Sequence, residues 1–168
     1  MKTEEHYIYK EYEQYLQKHP VEYSRYITNR LIGQIIWYDK SAINKQNKYK
    51  RLTIISIILT GIIPVLSLFT GFTYGFVASV LITITSSVST AILSITNMCE
   101  YQKLWIEYRS TCEILKSILH RYFTNTGEFT NKNIEDNFRL LVSSCEEYMT
   151  KEFQTWTELS HDYHKKEQ

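Results

Sequence analysis

Residues Leu52–Cys99 read LTIISIILTGIIPVLSLFTGFTYGFVASVLITITSSVSTAILSITNMC and contain no Asp, Glu, Lys, Arg or His. Arg51 and Glu100 close the two ends of this block. A membrane-crossing helix needs about 20 apolar residues to span about 30 Å of hydrocarbon. The block therefore fits two crossings and one short turn. The turn falls at Thr70-Gly71-Phe72-Thr73-Tyr74-Gly75, where two glycines and two threonines interrupt the apolar run. The reading is a transmembrane helical hairpin. The competing reading, a buried hairpin in a soluble core, is a poor match to so long an uncharged stretch in the middle of 168 residues.

Outward from this block the chain is polar. Residues 1–51 and 100–168 carry all 19 Lys and Arg and all 18 Asp and Glu. The mean hydropathy is accordingly negative. The expected organisation is cytoplasmic N-terminal helices over 1–51, the hairpin over 52–99 and cytoplasmic C-terminal helices over 100–168. The two arms are expected to pack as one bundle, so the fold class is all-α. A formal net charge of +1 gives no basis for nucleic-acid binding. No cleavable leader is expected ahead of the first crossing. Lys40, Lys45, Lys48, Lys50 and Arg51 precede the hairpin, Lys103 and Arg109 follow it, and the turn is uncharged. The positive-inside rule then places both termini in the cytoplasm and the hairpin in the inner membrane. Cys99, Cys112 and Cys145 would face a reducing compartment, and their spacing is not that of a zinc site.

Helical periodicity organises the arms. A first helix is expected over residues 3–18, broken by His19-Pro20. One helix then runs from Val21 through Arg51 into the membrane, with Pro64 near its outer end. The second crossing starts near Phe76 and meets no helix breaker before Asn125-Thr126-Gly127. Its seam beyond the membrane is Tyr101, Leu104, Tyr108, Cys112, Leu115, Leu119 and Tyr122, at coiled-coil-like spacing. Asn131 or Asn133 can cap a last helix. The seam expected there is Ile134, Phe138, Leu141, Cys145 and Tyr148, continuing through Glu152, Trp156, Leu159 and Tyr163. Seams of this length suggest a homo-oligomer.

Ser79, Thr83, Ser86, Thr90, Ser94 and Asn97 recur at spacings of three and four along the second crossing. Small hydroxyl residues let helices approach closely and hydrogen-bond across the contact. Two readings stay open: helix packing, within the hairpin or between copies, and the lining of a weakly polar pore. Under the pore reading Thr90→Leu and Ser94→Leu block leakage, and Thr85 and Ser89 tolerate Leu. Nothing in the block is ionisable, which argues against proton relays, charge-selective filters in the hydrocarbon core and voltage sensing. No enzyme is expected. The glycines at 33, 61, 71, 75 and 127 form no phosphate loop, and Glu158 and His161 have no further ligand at matching positions. No catalytic residue, metal site or cofactor is assigned.

The segment Tyr101-Gln102-Lys103-Leu104-Trp105-Ile106-Glu107-Tyr108-Arg109-Ser110-Thr111-Cys112-Glu113-Ile114-Leu115-Lys116 carries the pattern Trp-x3-Arg-x3-Glu-x-Leu-Lys. With Gln34-Ile35-Ile36-Trp37-Tyr38-Asp39-Lys40-Ser41-Ala42 and Ile62-Ile63-Pro64, it resembles the SLATT superfamily of bacterial two-transmembrane proteins, and a related two-helix membrane domain family of unknown function. Cys112 departs from that pattern, which expects a small residue such as alanine. The resemblance implies an oligomeric membrane effector of a bacterial anti-phage or conflict system that perforates the inner membrane. It also implies a nucleotide-signal sensor or synthase as partner. It makes Trp105, Arg109 and Glu113 structural residues of the bundle. The alternative is a membrane anchor and docking platform for a cytoplasmic partner.

Overall fold

The computed structural model describes residues 10, 12–13, 16–17, 20–73, 75–130 and 132–166, with side chains up to residue 151. The described residues are all-α, with no strand among them. In chain order they form α1 (Val21–Tyr26), a π-helical turn (Ile27–Ile32), α2 (Gly33–Ser67), a 3₁₀ turn (Leu68–Gly71), α3 (Gly75–Met98), α4 (Tyr101–Thr124), a 3₁₀ turn (Gly127–Phe129) and α5 (Ile134–Lys166). Most of the helix expected over 3–18 lies outside the described residues, although Tyr12 is buried. The chain separates into two compact units, residues 1–40 with 108–168, and residues 41–107.

The first unit is a helical bundle around one core. The seam expected on α4 is its spine: Cys112, Leu115 and Leu119 are fully buried and Tyr122 nearly so. Ile27, Leu31, Ile32 and Ile35 face it from the N-terminal side, all fully buried. The π turn is what allows Leu31 and its neighbour Ile32 to enter the same core, because it widens the turn by one residue. The single helix expected from Val21 runs on through this stretch without a break, its hydrogen bonding locally widened here.

On α5 the expected seam holds at Phe138, Leu141 and Cys145 and departs at its two ends. Leu141, Cys145 and Met149 are buried together with Asn137, whereas Ile134 and Tyr148 are exposed. Asn137 takes an inward position with its NH2 group bonded, donating to the Phe129 carbonyl at 3.0 Å and to Asn125 Oδ1 at 3.5 Å, while its own Oδ1 is buried with no donor among the described residues. Asn133 caps α5, its Oδ1 accepting the Asp136 amide at 2.7 Å. The continuation of the seam from Glu152 to Tyr163 lies outside the described side chains. Leu115, Leu119 and Leu141 are covered within one chain.

The second unit is a helical hairpin. α2 and α3 are both long and apolar enough to cross a membrane, and only 6% and 11% of their most apolar stretches is buried. Ile54, Ile55, Ile57, Ile58, Ile62, Val65, Val77, Leu81, Ile84 and Val88 are all exposed. Pro64 lies inside α2, which continues to Ser67. The turn between α2 and α3 is as tight as expected. Gly75 donates to the Phe72 carbonyl at 2.9 Å, and a Cβ at Gly75 would collide with the Thr70 carbonyl oxygen. α3 does not run on into α4 unbroken. It stops at a Cys99-Glu100 turn where Glu100 adopts a left-handed conformation (φ 44°) and pairs with Lys103 at 3.6 Å.

Candidate functional site

The candidate site is the surface of α3, and its faces sort by chemistry. Ala78, Ser89 and Thr96 are buried, with Ile82, Thr85 and Ile92 half-buried between them. This 4-3-4-3-4 line is the face that packs on α2. At its centre the Ser89 hydroxyl lies 3.1 Å from Ser56 Oγ and 2.9 Å from Thr60 Oγ1. Ser89 also reaches towards the Ser56 carbonyl at 3.4 Å. The three hydroxyls form one small polar node in the contact.

Ser79, Thr83, Ser86, Thr90, Ser94 and Asn97 lie on a different face. All are exposed except Ser86, which is half-buried. Their line is displaced by roughly 115° around the helix from Ala78, Ser89 and Thr96, at about 100° per residue. The packing within the hairpin therefore does not use this stripe. The reverse holds for Ser89: the expectation that it tolerates Leu is corrected, because its hydroxyl sits in the α2 contact.

Several hydroxyls of the stripe are hydrogen-bonded to their own helix. Ser79, Thr83 and Thr90 donate to the carbonyls of Gly75, Ser79 and Ser86 at 3.0, 2.9 and 2.9 Å. Such back-bonding satisfies the donor and leaves the oxygen free to accept. On α2 the exposed positions reached by turning from Ser56 in the direction of rising residue number include Gly61 and Pro64. In an antiparallel pair, that direction on one helix and the corresponding one on the other point to the same side. The same side of α2 also exposes Ile57, and Leu68 just past its end, so the hydroxyl character of this side of the hairpin comes from α3, and the opposite side carries bulky aliphatic residues such as Ile55, Ile62, Leu81, Ile84 and Val88.

The residues singled out in the Trp-x3-Arg-x3-Glu pattern come together only in part. Arg109 donates to Asp39 Oδ1 at 2.6 Å and pairs with Glu113 at 2.9 Å, one turn on. It thereby ties α4 to α2. Trp105 is half-buried, and its indole nitrogen is closed off with no acceptor among the described residues. The neighbouring aromatic cluster is Trp37, Tyr38 and Tyr108, in which Trp37 stays half-exposed and meets both tyrosines edge-on.

A second polar clamp was not expected from sequence. Glu146 on α5 accepts from the Tyr26 hydroxyl at 2.9 Å and from two nitrogens of Arg30 at 3.2 and 3.0 Å. The Arg30 guanidinium holds the Glu146 carboxyl below its usual value of 4.5. Burial, then the Glu146 carboxylate, push the Tyr26 phenol well up. Burial also pushes the Cys145 thiol up to about 12 and raises that of Cys112. Among the described residues no group of His, Cys, Asp and Glu is placed to hold a metal.

A family of proteins of unknown function, DUF4231, matches residues 33–137. The chain belongs to this family. The DUF4231 match begins at the first residue of α2, contains both hairpin helices and α4, and ends at Asn137 on α5. No curated protein and no solved structure matches the chain.

Proposed function

We propose that this protein is an oligomeric membrane effector whose hairpins assemble through their hydroxyl side and perforate or perturb the bilayer. The observation that carries the reading is the placement of the stripe Ser79, Thr83, Ser86, Thr90, Ser94 and Asn97. It is turned away from α2, so neither the hairpin contact nor the bundle core accounts for it. Bulky aliphatic residues on the opposite side suit lipid, and small hydroxyl residues suit close approach of a second hairpin or contact with water. The similarity of Trp105, Arg109 and Glu113 to the SLATT pattern supports a role in a bacterial conflict system. The bundle would then receive a signal from a nucleotide-dependent partner. The basic residues on both sides of the hairpin support cytoplasmic termini in the inner membrane.

The experiment is release of a trapped dye from vesicles carrying the purified chain. Leakage should be abolished by Thr90→Leu and Ser94→Leu with expression and hairpin packing intact. Leakage that survives both substitutions would overturn the pore reading. Reporter fusions at Met1 and Gln168 should both register the cytoplasm, and opposite sides would exclude a hairpin.

A second reading is a membrane anchor with the bundle as a docking platform. It is favoured by the back-bonded hydroxyls of Ser79, Thr83 and Thr90, which can face lipid at little cost because their donors are already satisfied. No enzymatic reading has support from any side-chain arrangement among the described residues.

A further inference from the structure

Where α3 meets α4, the second unit carries an open groove of about 640 Å³. Its walls change character along its length. Leu93 and Thr96 belong to the last turns of the uncharged block, whereas Asn97, Lys103 and Glu107 lie at or beyond its end, with Ile106 beside them. Tyr49 closes one side by donating to Gln102 at 3.1 Å. The left-handed turn at Glu100 creates the groove, because it redirects the chain between the two helices.

The charges in the groove are specific. Lys103 pairs with Glu100 at 3.6 Å, a long contact that leaves the ammonium donors available. Glu107 is half-buried, and no ion pair or hydrogen bond reaches it among the described residues. Two carboxylates and one ammonium give the groove a formal charge of −1, which disfavours an anionic ligand. A half-buried carboxylate without a partner calls for a cation that can donate hydrogen bonds.

We propose that this groove binds a zwitterionic phospholipid with a primary-amine head group, of the ethanolamine class. The ammonium sits on Glu107. The phosphate is held by Lys103 and the Asn97 amide, and the upper part of an acyl chain lies along Leu93. A choline head group offers the same phosphate but no N–H, and a glycerol head group offers no cation. The inference rests on the membrane reading above, because it requires the end of the uncharged block to lie at head-group depth.

The test is native mass spectrometry of the full chain released from detergent, titrated with phosphatidylethanolamine, phosphatidylcholine and phosphatidylglycerol of matched acyl chains. Phosphatidylethanolamine should be retained about fivefold better than the other two, the scale of one charge-assisted hydrogen bond at a wet site. Glu107→Gln should erase that preference, and Lys103→Met should weaken retention of all three. Equal retention of the three lipids by the wild type overturns the proposal without any variant. So does a preference for phosphatidylglycerol, or an ethanolamine preference that survives Glu107→Gln. Resistance of the wild-type chain to carbonate extraction from membranes tests the membrane reading separately: an extracted chain refutes that reading, and an integral chain without head-group preference refutes this proposal alone.

Discussion

Replacing Ser89 with leucine should open the hairpin, and replacing its neighbour Thr90 should not. Ser89 is 4% exposed, and its hydroxyl is shared with Ser56 at 3.1 Å and Thr60 at 2.9 Å. Interhelical hydrogen bonds of this kind are worth about 0.6 kcal/mol on average and up to about 1.7 kcal/mol. Leucine also forces extra carbon into a contact built for a serine, and overpacking costs roughly 1–3 kcal/mol. The sum is about 2–5 kcal/mol for Ser89→Leu. Ser89→Ala, which loses only the hydrogen bonds, should cost no more than about 1.7 kcal/mol. Thr90 is exposed and bonded only to the Ser86 carbonyl of its own helix, so Thr90→Leu should stay within about 0.5 kcal/mol. The assay places a cysteine at Ala78, which is buried in the same contact, and follows its alkylation in detergent with the modified site located by mass spectrometry. Ser89→Leu should speed alkylation at that site by at least about tenfold, equivalent to 1.4 kcal/mol, and Thr90→Leu should leave it unchanged. Equal rates in the two variants, or faster alkylation in Thr90→Leu, would mean that α3 presents a different face to α2.

Other outcomes follow from the bundle and the turn. Glu146→Gln should weaken the contact of α5 with the Tyr26–Arg30 segment by under about 1 kcal/mol, discounted for its partial exposure, read as a lowered thermal midpoint. Because the folded state depresses the Glu146 pKa, its contribution is complete above pH 4.5 and is lost as pH falls below that value, so wild type and Glu146→Gln should converge in acid. Burial keeps Cys112 and Cys145 protonated at neutral pH, so a water-soluble maleimide should leave both unmodified in the folded chain and label them once it is denatured. Gly75→Val should disrupt the turn between α2 and α3, because its Cβ meets the Thr70 carbonyl oxygen; protease sensitivity at that turn is the readout.

The helical hairpin and the α4 seam were legible because each rests on a local pattern: an uncharged run in one case, regular apolar spacing in the other. What escaped depended on partners distant in sequence. Ser89 and Thr90 are chemically alike, and only the position of α2 decides which is buried. Asn137 is buried beside the expected seam, where its side-chain NH2 reaches the loop carbonyl of Phe129, a partner in another segment. The Arg30–Glu146 clamp joins residues 116 positions apart, which no local window reports. The π turn leaves no mark in composition and is visible only as the paired burial of Leu31 and Ile32. The break at Glu100 was missed because no glycine or proline announces it.

The turn between α2 and α3 has one more consequence. Between the end of α2 at Ser67 and the start of α3 at Gly75 there is no lysine, arginine or acidic residue, and the backbone folds back within a few residues. If the hairpin crosses the inner membrane as proposed, a protein on the periplasmic side finds almost nothing to hold. Any stimulus from outside would have to travel through the lipid itself, through membrane thickness, tension or composition. The two polar arms are then the chain's sole antenna for soluble messages. Trypsin illustrates the same isolation, since it cuts after Arg51 and next at Lys103, leaving the hairpin as a single oily fragment.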